Sequence, residues 1–346
     1  MSSILETSSL ERLTISIVIP VHNGGASFRK CLSHLKRFVP QSTEIIIVVD
    51  GGTDDSAQLA QASGATVLQF PTASGPARAR NIGANAAHGD ILFFVDADVT
   101  IGADTLDQVI STFEQHSEIA ALIGSYDDTP GASNFLSQYK NLFHHHTHQT
   151  GCDDASTFWG ACGAIRREVF LAIGGFDESY RDPSVEDIEL GYRLKRAGYK
   201  IRLCKTVQVK HLKHWKPVSL LRAEIFYRAI PWTELLWRDR QFNNDLNLKT
   251  SSRASLLLTY GLLIALTTAW WQGWALAIAV SFGVLLLLMN QSVYRFFYQK
   301  RGGWFTLGVI FWHWLYFFYG GIAFAIGTGR YFLSKRKVPQ RRFSQA

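Results

Sequence analysis

A short apolar run that ends in two carboxylates constrains this chain more than any other feature. Ile91–Val95 carries no polar residue, and Asp96-Ala97-Asp98 follows it directly. Such a run is typical of a strand buried on both faces of a parallel sheet, which presents the residues after it at the carboxyl edge. Paired carboxylates at that edge suit Mg²⁺ or Mn²⁺, hard cations that keep open positions for phosphate oxygens. Taken alone, the pair fits a solvated strand-to-loop turn equally well.

Similar runs alternate with helical patterns through the first hundred residues. We expect strands at 15–20, 44–50, 65–70 and 90–95. We expect one helix at 26–38, a second that follows the turn after the second strand and ends at about residue 62, and a third at 76–87. Apolar strands that are separated by helices predict an α/β fold with a mostly parallel central sheet and helices on both faces. The first strand is not followed by a glycine-rich dinucleotide motif, and a Walker-type phosphate motif is absent, which disfavours those two classes of nucleotide site.

The composition changes sharply near residue 251. Three stretches with almost no charge follow, at 256–271, 274–289 and 305–326. A helix that crosses the bilayer core needs about 20 apolar residues. The third stretch is long enough, whereas the first two predict either a tight helical hairpin or slightly short spans. Tryptophans at the segment ends favour a membrane, with about three transmembrane helices over 254–330, and a buried helical bundle is the alternative.

The positive charge also indicates a membrane. The chain has 35 Lys and Arg against 28 Asp and Glu, a net charge of +7, which fits either nucleic acid or an anionic membrane surface. Residues 213–253 interleave aromatic and aliphatic residues with Lys and Arg, as in helices that lie among lipid headgroups. A lobe packed on the preceding domain is the alternative for this segment. Three full spans would place the basic tail, 331–346, opposite to the first 250 residues, against the positive-inside tendency.

Two further features concern the compartment. Residues 1–13 are polar and lack the basic and then apolar pattern of a signal peptide. The four cysteines are irregularly spaced, which predicts neither a disulfide framework nor a zinc site and fits a reducing cytoplasm. We therefore expect an integral protein of the cell inner membrane, with the domain at 14–212 in the cytoplasm.

Ordered motifs extend over roughly residues 14–215. They stand as Pro20-Val21-His22-Asn23, Val48 to Asp54 around Asp50-Gly51-Gly52, Gly75 to Gly83 around Arg80, Phe93 to Asp98, Gly174-Gly175-Phe176-Asp177-Glu178 and Glu186-Asp187-Ile188-Glu189-Leu190. Together they resemble the inverting glycosyltransferases of family 2, which have the GT-A fold. The chain departs from the family at His22, where an aromatic residue is common, and in the loop after Asp50, which is one residue shorter than usual.

The resemblance implies a donor site and a metal site. Nucleotide-sugar contacts are implied for Pro20, Val21, Asn23, Asp50, Arg80, Asp96, Trp159 and Gly160. Among these, Asp50 would read the nucleobase, Arg80 would face the diphosphate, and Trp159 with Gly160 would form a wall. The implied ligands of Mg²⁺ or Mn²⁺ are Asp98, Asp96 and His211. Helix capping by Asp50, a surface position for Arg80 and a core position for His211 are the alternatives.

Inverting transfer to a hydroxyl needs a base that takes the acceptor's proton. Glu186 and Asp187 open an amphipathic helix predicted over 188–197. By resemblance, Asp187 is the base and Glu186 is its neighbour. The helix dipole also favours carboxylates in a first turn, so one of the two is explained without catalysis.

The sequence therefore predicts a metal-dependent inverting glycosyltransferase that is anchored in a membrane. It would move one sugar from a nucleotide-sugar to a hydroxyl of a lipid or lipid-linked acceptor, with no nucleic acid partner. A polyprenyl-phosphate glycosyl synthase is the alternative enzyme; the Glu186-Asp187 pair counts against it, and the arginines of 213–253 count for it. A catalytically inactive membrane scaffold with the same fold is disfavoured, because every expected charged position is filled.

Overall fold

The computed structural model describes residues 12–240 and 248–335 of the 346-residue chain. Most of the predicted polar tail at 1–13 therefore lies outside the described residues. The same holds for 241–247 within the predicted interfacial segment, and for the predicted basic tail beyond residue 335.

The strands of the described residues form one sheet. Their bounds are β1 Ile15–Val21, β2 Glu44–Asp50, β3 Thr66–Phe70, β4 Ile91–Val95, β5 Val99–Ile101, β6 Ile119–Tyr126, β7 Asp154–Ala155, β8 Cys162–Arg166 and β9 Lys200–His211. The first four agree with the predicted strands to within about a residue at each end, as expected for strongly apolar runs.

Helices alternate with these strands and then form a C-terminal group. The first seven are α1 Gly25–Phe38, α2 Ser56–Ala62, α3 Pro76–Ala86, α4 Thr105–Gln115, α5 Phe135–Gln149, α6 Arg167–Ala172 and α7 Glu186–Arg196. They are followed by α8 Pro217–Arg222, a π-helical segment Ala223–Ala229, α9 Ile230–Asp239, α10 Thr250–Thr268, α11 Trp274–Met289 and α12 Gln291–Lys335. Gly302 has non-helical dihedral angles (φ 79°, ψ 178°), so α12 consists of two helices joined at a kink.

The sheet is parallel in its first half and mixed in its second. The strand order is β3-β2-β1-β4-β8-β6-β9-β5, with β7 paired to β9. The neighbours among β3, β2, β1 and β4 are parallel, as predicted, whereas β8 runs antiparallel to both β4 and β6. The carboxyl ends of β1, β2 and β4 therefore share one edge. The beginning of β8 lies at the same edge, because Cys162 pairs with Val95.

Both faces of the sheet are covered, which explains why the strands lack polar alternation. Ile17 and Ile47 face one core together with Phe28 of α1. Val18 and Ile46 face the other core, which includes Ala77 of α3. Burial on both faces confirms the predicted layers, with helices on each side of one sheet.

One helix among the described residues is long and apolar enough to cross a membrane, as judged by length and composition. It is Gln291–Leu333, which contains the third predicted stretch. The 16 residues of α11 are about 24 Å long, shorter than a bilayer core of about 30 Å. Helices α10 and α11 form the hairpin that the sequence allowed, with Gly261 packed against Phe282. The number of full spans stays a prediction.

The predicted interfacial segment, 213–253, divides into a packed and an exposed part. Trp232 and Leu235 of α9 are buried against Val185 and Tyr192, as expected of a lobe that packs on the preceding domain. In α8 and the π-helical segment, by contrast, Val218 is 79% exposed and Phe226 is 58% exposed. Within the described residues, the exposed large apolar side chains of this segment therefore precede α9.

Gly191 of α7 touches the backbone of the loop before β8, and a Cβ there would lie 2.2 Å from Phe158 N. We predict that Gly191→Ala lowers the free energy of unfolding by about 1–3 kcal/mol, because α7 must move off the loop. A thermal melt of the full chain in detergent measures this. Gly329→Ala is the control, since a Cβ there meets nothing within 4 Å. Equal melting temperatures for Gly191→Ala and wild type would contradict the close approach.

Candidate active site

The carboxylate of Asp50, at the end of β2, is surrounded by donors from the loop before α3. Its Oδ1 accepts hydrogen bonds from Ser74 N at 2.9 Å and Ser74 Oγ at 2.7 Å, and its Oδ2 accepts one from Gly75 N at 2.8 Å. Asp50 is buried, with 4% of its surface exposed. These contacts resemble helix capping, applied to α3 instead of the helix that directly follows Asp50. Recognition of a nucleobase by Asp50 stays a prediction.

Pro20, Val21 and Asn23 lie at the end of β1, next to the end of β2. The side chain of Val21 is buried in the core, so this residue can offer a ligand only backbone atoms. Pro20 is paired in register with Val48. Asn23 has a φ of 51°, and its Oδ1 accepts a hydrogen bond from Thr53 N at 2.8 Å. The predicted nucleotide positions therefore do come together, and Asn23 holds the glycine turn after β2.

Arg80 of α3 joins two carboxylates that come from different elements. Its Nη2 lies 2.7 Å from Asp96 Oδ1, and its Nη1 lies 2.9 Å from Glu186 Oε1 at the start of α7. The side chains of Arg80 and Glu186 are each 6% exposed. Gly160 packs directly on the guanidinium, since a Cβ there would be 2.9 Å from Arg80 Cζ. Arg80 is thus a buried, fixed cation and not a surface charge.

Asp187 lies beside this ion network. Its Oδ2 accepts a hydrogen bond from Gly160 N at 3.1 Å, and its Oδ1 accepts one from Ile188 N at 2.8 Å. Burial, and then the nearby charge of Glu186, raise the pKa of Asp187 to about 6. A carboxyl group whose pKa lies near neutrality is suited to general base catalysis. The two acidic residues therefore differ, because Glu186 is bound to Arg80 and Asp187 faces a cavity.

Asp98 faces His211, which ends β9. The distance from Asp98 Oδ2 to His211 Nε2 is 3.5 Å. His211 Nδ1 donates a hydrogen bond to Asn141 Oδ1 at 2.8 Å, and its ring stacks on Tyr126 with 4.5 Å between centroids. Because Nδ1 carries a proton, Nε2 is directed at the carboxylate, an arrangement that either a proton or a metal cation between them stabilises. His211 is therefore buried and oriented towards Asp98, and its role as a metal ligand stays a prediction.

The three predicted metal ligands are not brought together as one set. Asp96 is turned to Arg80, and within the described residues no three His, Cys, Asp or Glu side chains are close enough to hold an ion by themselves. Mg²⁺ and Mn²⁺ in nucleotide sites use one or two carboxylates and complete their coordination with phosphate oxygens and water. Asp98 and His211 fit an ion of this kind, which would arrive with a diphosphate.

A cavity of about 120 Å³ opens beside Asp187 and contains residues that the sequence did not identify as functional. Its charged and titratable lining comes from four regions of the chain: Lys140, His144, His148, Asp187, Glu224, Arg228, Tyr316 and Tyr319. Lys140 Nζ and Glu224 Oε1 form a buried ion pair at 2.7 Å. The only sequence pattern that could have indicated Glu224 and Arg228 is the alternation of charged and apolar residues in 213–253. That pattern equally predicts helices at a membrane surface.

Asn81 explains why two of the motifs occur together. Its Oδ1 accepts a hydrogen bond from Phe176 N at 2.8 Å, and its Nδ2 donates one to Phe176 O at 2.9 Å. The ring of Phe176 packs edge-on against Phe94 of β4, with 5.2 Å between centroids. The glycine-rich turn at 174–178 is therefore fixed to α3 and to the central sheet. Its role is to support the site.

Two family profiles match parts of the chain. Residues 16–174 match the profile described as "Glycosyl transferase family 2", and residues 142–216 match one described as "N-terminal domain of galactosyltransferase". The first profile covers the parallel half of the sheet and continues to the glycine-rich turn. The second covers most of α5, the loop before β8, and α7 up to the end of β9.

Relatives and a solved structure agree with these matches. The O-antigen chain rhamnosyltransferase WbaN of Salmonella anatum is 24% identical over 237 residues, which are 64% of this chain and 74% of WbaN. The glycosyltransferase GlyG of Streptococcus pneumoniae is 30% identical over 117 residues, but the match spans only 38% of GlyG. The mannosyltransferase PcManGT from Pyrobaculum calidifontis, solved with GDP-Man and Mn²⁺, has a TM-score of 0.56 at 16% identity and covers 91% of this chain and 88% of its own. The likeness confirms the predicted GT-A fold.

Arg80→Gln would remove the cation that two buried carboxylates share. We predict a loss of about 3–5 kcal/mol in the free energy of unfolding, because Glu186 would be left uncompensated. The double variant Arg80→Gln/Glu186→Gln should recover part of this loss. Denaturant unfolding of wild type, Arg80→Gln, Glu186→Gln and the double variant measures this. Arg78→Gln is the control on the same helix. The Arg78 side chain is 54% exposed, and its Nε lies as far as 4.0 Å from Glu178 Oε2. If the losses in free energy of unfolding of the two single variants add up to that of the double variant, the ion pair between Arg80 and Glu186 would be contradicted.

Proposed function

We propose, from the match of residues 16–174 to the family profile, that the chain is a glycosyltransferase of family 2. It would transfer a single sugar, with inversion, from a nucleotide-sugar to a hydroxyl of a lipid or lipid-linked acceptor at a membrane. Asp187 carries this proposal. It has a pKa near 6 and faces a cavity whose opposite wall is the apolar helix α12. A hydroxyl acceptor needs such a base, since its proton must leave as its oxygen attacks.

In the proposed reaction, the acceptor oxygen attacks the anomeric carbon from the side opposite to the nucleotide. A carbon–oxygen bond forms there while the bond from the same carbon to the diphosphate breaks. The hydroxyl proton moves to the carboxylate of Asp187, and the nucleoside diphosphate leaves with the electron pair. Gly160 N–H holds Asp187 in place, and Arg80 fixes Glu186 so that its charge stays beside the base.

We further propose that the transfer depends on Mg²⁺ or Mn²⁺. Asp98 and His211 would hold the ion, and when bound it would neutralise charge that develops on the leaving diphosphate. The oriented Nε2 of His211 supports this assignment. Further support comes from PcManGT, which was solved with GDP-Man and Mn²⁺. The role of Asp96 would be to hold Arg80 near the diphosphate.

The proposed location is the cell inner membrane, with the sugar-transferring domain in the cytoplasm. One long apolar helix, α12, supports membrane association. The hairpin α10–α11 exposes further apolar side chains, among them Trp270, Trp271 and Leu288. The cysteines of the described residues form no disulfides, which fits a reducing compartment. The transfer of a sugar also agrees with the name of the Salmonella relative, an O-antigen chain rhamnosyltransferase.

A polyprenyl-phosphate glycosyl synthase remains the second candidate, because Arg228 places a cation in the acceptor cavity. An acceptor phosphate is already an anion and does not need a base, so the raised pKa of Asp187 favours the hydroxyl acceptor. An inactive scaffold would have no need of an ion network that fixes Arg80, Glu186 and Asp96 in the site.

Asp187→Asn should reduce turnover by about 10²–10⁴-fold with little change in donor binding. Because the base works unprotonated and its pKa is raised to about 6, wild-type turnover should be low below that pH, rise through it and level off above it. Transfer of radiolabelled sugar from a panel of nucleotide-sugars to membrane lipids measures both effects. Asp182→Asn, which changes an exposed carboxylate, is the control. Wild-type turnover in Asp187→Asn would favour the phosphate acceptor.

Removal of the metal should stop transfer. EDTA is expected to abolish activity, and added Mn²⁺ or Mg²⁺ to restore it, because the leaving diphosphate needs its charge neutralised. Asp98→Asn should also abolish activity while the melting temperature stays close to that of wild type. Asp107→Asn is the control, since Asp107 is exposed and far from the sheet edge on α4. Full activity in EDTA would rule out the metal.

A further inference from the structure

Arg228 is a cation with no partner of its own in the cavity beside Asp187. Among the described residues it makes no hydrogen bond or ion pair, whereas the neighbouring Lys140 and Glu224 neutralise each other at 2.7 Å. Burial alone would lower the pKa of Arg228, but the charges of Glu224 and Asp187 raise it, so the side chain stays charged. It is partly buried, not exposed to bulk water. A positive charge is therefore available beside the base.

Arg228 is placed by an unusual piece of backbone. It lies in the π-helical segment Ala223–Ala229, which interrupts the helix between α8 and α9. Such segments in longer helices are often found at functional sites. The other charged or titratable groups of the cavity are Asp187 of α7, Lys140, His144 and His148 of α5, Glu224 of the same segment, and Tyr316 and Tyr319 of α12. An anion that enters would meet Arg228 as a cation that forms no direct ion pair with any of these groups.

The cavity continues into an apolar groove of about 350 Å³. The two spaces share Ala229, Trp232, Tyr316 and Gly320, so the groove begins one residue after Arg228. It runs between α9, α10 and α12, and its walls are mostly apolar: Leu236, Leu248, Leu256, Leu257, Phe317 and Phe324. The order of features along this path is a base, a cation and then an apolar channel. That order matches an amphiphile whose head points at Asp187.

Building on the function proposed above, we propose that Arg228 binds a phosphate in the head of the acceptor and that the groove takes the acceptor's apolar chain. The acceptor would thus be a phosphate-bearing lipid whose reacting hydroxyl lies close to its phosphate. The geometry supports the phosphate, because Glu224 is paired with Lys140 and Arg228 forms no ion pair of its own within the described residues. Continuity of the groove with the catalytic cavity supports the chain.

The test uses the full chain in phosphatidylcholine nanodiscs and a dodecyl phosphate that carries a diazirine at the chain end. Cross-links should map to the groove, at residues such as Leu256 and Phe317. Unlabelled dodecyl phosphate should compete about 10- to 100-fold better than dodecanol, the difference that a charge-assisted hydrogen bond makes. Inorganic phosphate should compete poorly, because it has no chain to fill the groove.

Substitutions separate the phosphate contact from the general fold. Arg228→Gln and Arg228→Met should abolish the preference for dodecyl phosphate over dodecanol while cross-linking by the chain persists. Arg228→Lys should keep part of the preference. Arg222→Gln, which changes an exposed arginine of α8, should keep all of it. Retention of the full preference in a folded Arg228→Gln or Arg228→Met, or cross-links confined to the outer face of α12 at Leu307 and Phe311, would overturn the proposal.

Chemical treatment of the product distinguishes transfer to a hydroxyl from transfer to a phosphate. The radiolabelled lipid product of the membrane assay is treated with mild acid and, separately, with phosphatase. We expect the sugar to survive acid and the phosphate to remain removable, since sugar and phosphate occupy different oxygens. Release of the sugar by mild acid would show a glycosyl phosphate and overturn the hydroxyl-and-phosphate acceptor. Failure of Asp187→Asn to slow transfer, with the Arg228 result intact, would instead refute the function proposed above and leave the lipid phosphate site standing.

Discussion

The buried contact of Arg80 with Asp96 and Glu186 is the interaction on which the rest of the site depends. It connects the end of β4, at the edge of the parallel half of the sheet, to the first residue of α7. Two carboxylates without this cation would repel each other and any diphosphate that approached. With the cation in place, Glu186 is fixed beside Asp187, whose pKa is raised to about 6 first by burial and then by the charge of Glu186.

The sheet geometry decides which residues this contact can bring together. Parallel pairing of β1, β2 and β4 collects Asn23, Asp50 and Asp96 at one edge, and the antiparallel entry of β8 brings Gly160 there from the opposite direction. Gly160 then contacts both Arg80 and Asp187, and it has no side chain because the guanidinium occupies that space. The mixed topology therefore places Gly160 beside the edge formed by β1, β2 and β4.

The sequence predicted the elements that are fixed by local pattern. Strands β1 to β4 and the start of α7 follow from apolar runs and a carboxylate-rich first turn, and the motifs placed Arg80, Asp98 and Asp187 at one site. It did not predict that Asp50 would be bonded to Ser74 and Gly75, because that contact depends on how α3 docks. The cavity residues Lys140, Glu224 and Arg228 were missed for the same reason, since they meet through packing between regions far apart in sequence.

The packing of α12 limits how the protein can meet a membrane. Phe305 packs on Phe135 of α5 with 4.8 Å between ring centroids, and 25 residues later Arg330 pairs with Glu234 of α9 at 3.0 Å. That length of helix is about 38 Å, more than the thickness of a bilayer core. A helix bound to the domain over this distance cannot stand across the core unless the domain enters with it. The proposed lipid contact would therefore be made by the outward side, where Leu307 and Phe311 are exposed, whereas Tyr316 and Tyr319 of the same helix line the cavity beside Asp187. In the proposed function the same helix would meet lipid on one side and the cavity of Asp187 on the other, so the C-terminal apolar region would contribute to the site as well as to anchoring.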